Sequence, residues 1–253
     1  MTTTNLSPAS GSVWGPRLTN WSIRLTVAAL VVAAAGLTLA RFDLIPKLAG
    51  FSGLLGGALI ALLALLAGIA ALVMGRGSGA GGRGKLLAAL AVSLVYVGFI
   101  ASRPLAAGDI PAIHDVTTDL ANPPQFEVLT LRADNLAGVG TVENWKKVHA
   151  VSYGDLRPVT LAKPVAEVTA QVAALAASKG WTVAKSDPVR GHVEATASVS
   201  YIRFNDDVVI RIAPTTDGNG STVDMRSVSR VGISDFGVNA RRIREFLNDL
   251  AAE

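Results

Sequence analysis

No cysteine occurs anywhere in the 253 residues. That absence excludes disulfides, thiolate zinc sites, iron–sulfur clusters and a cysteine nucleophile. It also leaves the chain indifferent to redox compartment, which suits an exported domain. Acidic charge is nearly missing from the first 103 residues. They carry Arg17, Arg24, Arg41, Lys47, Arg76, Arg83, Lys85 and Arg103 against Asp43 alone, a net +7. The other 15 Lys/Arg and 18 Asp/Glu leave residues 104–253 at −3. The basic excess therefore flanks the apolar runs of the first segment. No clustered basic face remains for nucleic acid, which is excluded as a partner. Charged residues of all kinds make up only 17% of the chain, where soluble domains hold about a quarter, so membrane segments are the first expectation.

Three apolar runs meet that expectation: residues 22–40, 48–74 and 86–102. Each approaches the roughly 20 residues that cross about 30 Å of hydrocarbon, and Arg24 lies near an end where it can snorkel. None has an ionisable residue near its middle, which counts against a transporter or proton relay. Gly53 and Gly57, extended by Ala61, Ala64 and Gly68, form a small-xxx-small pattern suited to close helix packing. The segment Gly75–Lys85 has three positive charges and no negative one, which predicts a flexible cytoplasmic loop. Arg17 and Arg24 place residues 1–21 inside as a cytoplasmic tail. Three crossings over residues 22–103 then put residues 104–253 outside the cytoplasmic membrane of a bacterial-type cell. An alternative takes the first run as a cleaved signal peptide ending at Thr38-Leu39-Ala40. The C-terminal domain stays outside in either case.

Residues 104–160 are punctuated by Asp109-Ile-Pro, Asn122-Pro-Pro and Leu136–Gly140, and only Phe126–Arg132 has strand character. They are expected to form an extended arm wrapped around the following core. Beyond them, Val165, Val168, Val172 and Leu175 recur at helical spacing between Pro164, welcome at a helix start, and Gly180, suited to its end. Four strand-like segments follow, at 181–186, 190–203, 207–214 and 221–231. Val193, Ala195, Ala197, Val199 and Tyr201 alternate with Glu194, Thr196, Ser198 and Ser200, the pattern of a half-exposed antiparallel strand. Asn205-Asp206 and Asp217–Gly220 supply turn chemistry. A last helix is expected from about Asp235, capped by Ser234, with Phe236, Ala240, Ile243, Leu247 and Leu250 as its apolar stripe. The fold class is thus an α-helical membrane region joined to an α+β domain, in which a helix, a four-stranded antiparallel meander and a helix form two layers.

The segments Ile113–Asp119 with Asn122–Phe126, and Ser227–Phe246, resemble the opening and closing motifs of the domain of unknown function 1499 family, over roughly residues 109–250. Attachment to membrane helices is common in that family, as the resemblance implies here. It implies a domain and no reaction.

Two clusters stand out as candidate sites. Arg226 and Arg230 are four apart on one strand face, and Asp235, Asn239 and Arg242 lie along one flank of the last helix. Together they suit either a pocket for an anionic group or a buried polar network that docks helix on sheet. His114, Asp115 and Asp119 form the second cluster, to be weighed against a turn in which Asp115 and Thr118 bond nearby backbone amides. His149 and His192 are isolated. There is no HExxH, no Gly-x-Ser-x-Gly and no phosphate-cradling loop, so no catalytic residue, metal or cofactor is assigned. The leading expectation is a membrane-anchored extracytoplasmic binding or assembly module, partnered by the lipid bilayer and other envelope or membrane proteins. A lipid- or apolar-ligand-binding domain, and an envelope hydrolase using His114 with Asp115 or Asp119, are its rivals.

Overall fold

The computed structural model describes residues 14–74, 80–107 and 110–252. The chain divides into two compact units, Met1–Ala106 and Ala107–Glu253. The first is helical: α1 (Trp14–Arg41), α2 (Lys47–Val73) and α3 (Ala80–Ala107). All three are long and apolar enough to cross a membrane, which makes this a membrane protein by build. Residues 14–21, expected in a tail, and 80–85, expected in a loop, are helical instead; residues 75–79 of that loop lie outside the described residues.

Small residues bring α1 and α2 together. A Cβ on Gly36 would meet the Gly50 carbonyl oxygen at 3.0 Å and the Gly53 Cα at 3.2 Å. One on Gly57 would meet the Ala29 carbonyl oxygen at 2.7 Å, so the small-residue pattern serves close packing. With little hydrophobic drive between helices in lipid, polar bonds add registry. Ser22 donates to the Ala64 carbonyl at 2.9 Å, Thr26 and Ser93 share a bond of 2.9 Å, and Tyr96 donates to Leu54 at 2.6 Å.

The second unit holds β1 (Asp115–Thr117), α4 (Val142–Tyr153), β2 (Val159–Leu161), α5 (Val165–Ser178), β3 (Thr182–Asp187), β4 (His192–Val199), β5 (Phe204–Pro214), β6 (Ser221–Ser229) and α6 (Val238–Ala252). The expected meander is present as β3–β4–β5–β6, antiparallel throughout. Its far edge is extended: β1 pairs with one half of β6 and β2 with the other, making a six-stranded sheet. Val193, Ala195, Val208, Ile210, Ile212, Val223 and Met225 point to one face. There they meet Val168, Val172 and Leu175 of α5 and Ile243, Phe246 and Leu250 of α6 in one apolar cluster. Gly180 takes φ +75° just past α5, where the Gly180 and Trp181 amides satisfy the Ala177 and Ala176 carbonyls and stop the helix.

The arm differs from expectation in its local structure. Phe126–Arg132 is not a strand, because the amides of residues 127–129 bond to a side-chain carboxylate of β4 rather than to a neighbouring backbone. Residues 119–132 form a strap across the sheet face opposite the helices. Residues 142–153 are helical, with Thr141 as the capping residue. Trp145, His149 and Tyr153 fall one turn apart along this helix and are all buried. Trp145 Nε1 donates to the Asp115 carbonyl at 2.9 Å and His149 Nε2 accepts the Thr117 amide at 3.1 Å, so side chains close the free edge of β1.

Two boundaries also move. The β4–β5 turn is at 200–203, where Ser200 and Arg203 take φ +63° and +61°, and Asn205-Asp206 lies inside β5 rather than in the turn. The last helix starts at Val238, and it is Asp235 that caps it: its carboxylate accepts the Gly237 amide at 2.9 Å and the Asn239 amide at 2.6 Å.

Candidate functional site

Strand alternation puts His192, Glu194, Asp207, Arg211, Asp224, Arg226 and Val228 on the strap side of the sheet, with Asp115 and Thr117 of β1 beside them. The half-exposed pattern of β4 therefore does not hold: Glu194 is 0% exposed. Its carboxylate accepts the amides of Glu127 at 2.6 Å, Val128 at 3.1 Å and Leu129 at 2.7 Å, and His192 Nε2 lies 2.8 Å away. Burial alone pushes this carboxyl up; the His192 ring and the three amides outweigh it and hold it below the ordinary glutamate range.

The arginines of β5 and β6 on this face, and Arg230 just beyond β6, all meet carboxylates. Arg226 forks onto Asp115 at 2.9 and 2.6 Å and donates to the Pro124 carbonyl at 3.2 Å. Arg230 forks onto Asp207 at 2.9 and 2.8 Å. Arg211 bridges Asp119 at 2.8 Å and Asp224 at 3.0 Å, and the Thr118 hydroxyl donates to Asp224 at 3.0 Å. Asp119 also accepts the amides of Ala121 and Asn122, turning the chain into the strap. Burial raises its carboxyl, and Asn122 and Arg211 bring it below its ordinary value.

On the helix side, Arg242 donates to Asp206 at 2.6 Å, to Ser227 Oγ at 2.8 Å and to Asn239 Oδ1. Asn239 in turn donates to the His114 carbonyl at 2.9 Å and to Ser229 Oγ at 3.0 Å. Asp235 is spent as the α6 cap, and its burial pushes the carboxyl up. The five-residue cluster is thus divided by the sheet, with Arg226 under the strap, Arg230 exposed on the same face, and Asn239 and Arg242 under α6. It has the geometry of two structural networks, and Asp206, Asp207 and Ser227 are the partners that sequence reasoning missed.

His114, Asp115 and Asp119 do not converge either. His114 Nδ1 lies 3.1 Å from the Ile233 carbonyl, Asp115 serves Arg226, and Asp119 serves Arg211. Neither Asp115 nor Thr118 makes the expected local turn; Asp115 is in a strand and Thr118 Oγ1 receives the Met225 amide. Among the described residues no three His, Asp or Glu side chains gather as a metal-binding group. His149 is buried against Thr117, and burial lowers its affinity for a proton.

An open cleft of about 350 Å³ lies instead beside the first half of α6, lined by Lys179, Trp181, Val199, Val238, Arg241, Arg242, Glu245 and Phe246. Trp181, partly exposed, forms an apolar wall and is backed by the fully buried Phe246, on which it stacks with ring centroids 4.9 Å apart. Lys179 is paired with Asp249, and Arg242 is turned inward to Asp206. A tryptophan just past the α5 terminating glycine was the signal in the sequence that could have found this wall.

The family described as "Protein of unknown function (DUF1499)" matches residues 115–250. The chain belongs to that family. The DUF1499 domain thus comprises the whole sheet with α4, α5 and α6, and both charged networks fall inside it. No curated protein matches the chain.

Proposed function

We propose that this DUF1499 protein is a membrane-anchored binding or assembly module of the bacterial cell envelope. Its three helices sit in the cytoplasmic membrane with residues 104–253 on the extracytoplasmic side, and the Trp181–Phe246 cleft receives its partner, an envelope or membrane protein. The observation that carries the reading is the contrast between closed networks and open cleft. The charged side chains of both networks are committed to internal partners, whereas the cleft joins an aromatic wall to the flank of α6 that carries Arg241 and Glu245. The hydrolase alternative has its two carboxylates already held by Arg226 and Arg211. The sidedness rests on the positive charge of Gly75–Lys85.

Two measurements test this. Alkaline phosphatase fused after Glu253 is expected to be active and a fusion at Gly79 inactive; the reverse pattern overturns the orientation. A photo-crosslinker placed at Arg241 in cells is expected to trap a discrete partner that the same group at exposed Val189 does not. Equal trapping at both positions, or none at Arg241, removes the cleft from the proposal.

A further inference from the structure

The loop between β6 and α6 presents two large apolar side chains to solvent, Ile233 at 53% exposed and Phe236 at 59%. Phe236 also takes φ +53°, a left-handed backbone that a bulky residue adopts at a cost of about 1–3 kcal/mol. Burial inside the domain offsets neither the strain nor the exposure. The conformation is nonetheless firmly held from below. Ser234 Oγ accepts the Phe236 amide at 3.2 Å and donates to the Pro111 carbonyl at 3.3 Å, and Asp235 takes the next amide, that of Gly237. Gly237 and Gly232, at φ +76° and +93°, bracket the pair. The loop is a rigid mount for two outward apolar groups.

The same hydrogen bonds tie the loop to the start of the domain. The Asp235 amide donates to the Ile113 carbonyl at 3.3 Å, and a Cβ on Gly237 would lie 3.8 Å from Ile110, itself 39% exposed. Ile110, Ile233 and Phe236 are thus three exposed apolar side chains on two segments that these contacts hold together where the chain enters the domain. The third apolar span runs to Arg103 and its helix to Ala107, so Ile110 follows the span by seven residues. Seven residues reach at most about 25 Å even at full extension. The patch is thus tethered within a short distance of a membrane surface by the chain itself.

We infer that Ile110, Ile233 and Phe236 insert into the interfacial layer of the lipid bilayer that holds α3. A bilayer is the occupant that the tether supplies at all times, and apolar side chains at that depth leave water without needing a complementary protein surface. The contact would hold the domain in one attitude to the membrane. It depends on the membrane spans and not on the cleft, so it survives or fails independently of the proposed partner.

The lack of cysteine makes the test direct. Full-length Ile233→Cys and Phe236→Cys, each labelled with an environment-sensitive fluorophore, are placed in phospholipid nanodiscs. Val189→Cys, in the β3–β4 turn and 91% exposed, is the reference. Nitroxide-bearing lipid is expected to quench the labels at 233 and 236 and spare the one at 189, while aqueous iodide does the opposite. Ile110→Cys reads the same patch should either loop variant fail to fold. Labels at 110, 233 and 236 that iodide quenches as fully as at 189 would overturn the inference. So would labels protected from iodide yet untouched by the lipid quencher, since a protein would then be covering the patch.

Discussion

On the helix side of the sheet, Val193, Val208, Ile210, Ile212, Val223 and Met225 meet α5 and α6 in an apolar layer. On the strap side, Glu194, Asp207, Asp224 and Arg226 are covered just as thoroughly, by a segment with little regular structure. The two faces are buried for different reasons. An apolar layer gains from every methylene removed from water and tolerates exchange of one hydrocarbon for another. A charged layer is stable only while each charge keeps its partner, because a lone buried ion costs several kcal/mol. Arg242 with Asp206 places one such pair inside the apolar side, which allows the two environments to be compared with the same chemistry.

The largest effect is expected under the strap. Asp115→Ala in residues 104–253 strands the Arg226 guanidinium and should cost about 3–5 kcal/mol of stability in urea unfolding. Replacing both members, Asp115→Leu with Arg226→Met, should recover most of that loss. A double variant as unstable as the single one would show that the strap is held by shape rather than by charge.

A somewhat smaller loss is expected beneath α6. Arg242→Ala leaves Asp206, Ser227 and Asn239 short of donors and should destabilise by about 2–4 kcal/mol. Arg242→Lys should restore part of it, since one ammonium cannot reproduce the fork that reaches both Asp206 and Ser227. A melting curve for Arg242→Ala that overlays the parent's would remove the structural role and favour an anion pocket.

The smallest change is Glu194→Gln, which keeps the shape and one acceptor oxygen while removing the charge, at about 1–3 kcal/mol. Amide exchange should quicken at residues 127–129 and stay unchanged in β5. The pH dependence follows from the lowered carboxyl. Its stabilisation is complete above the ordinary glutamate value of about 4.3 and is lost as pH falls through the lower folded-state value. The glutamine variant should lack that part of the acid transition; an unaltered acid limb would mean that another carboxylate governs it.

Local signals were the legible ones. The membrane runs, the α5 stripe between Pro164 and Gly180, the meander and the α6 stripe all announce themselves within a few adjacent residues. The α4 helix was missed although Trp145, His149 and Tyr153 mark one face at four-residue spacing, because polar neighbours mask so narrow a stripe. Phe126–Arg132 has the composition of a strand, and its amides went to Glu194 instead. Arg226, Arg230, Arg242 and Asp115 stood out in the sequence, but the pairing of Asp115 with Arg226 did not, and Glu194, Asp206 and Asp207 were passed over.

Sequence alone determined the membrane build, the family, the order of the meander and the identity of the residues facing the helices. The family rests on the resemblance of two end motifs and the others on periodicity or composition, all of which the chain carries without folding. Tertiary structure decided that the polar face of β4 is buried, that Arg226 and Arg242 lie on opposite sides of the sheet, and which carboxylate each one meets. Asp115 and Arg226 are 111 positions apart, and Arg242 and Asp206 are 36. Pairs so distant are chosen only when the strand register closes, because a buried charge takes whichever partner the sheet brings within reach.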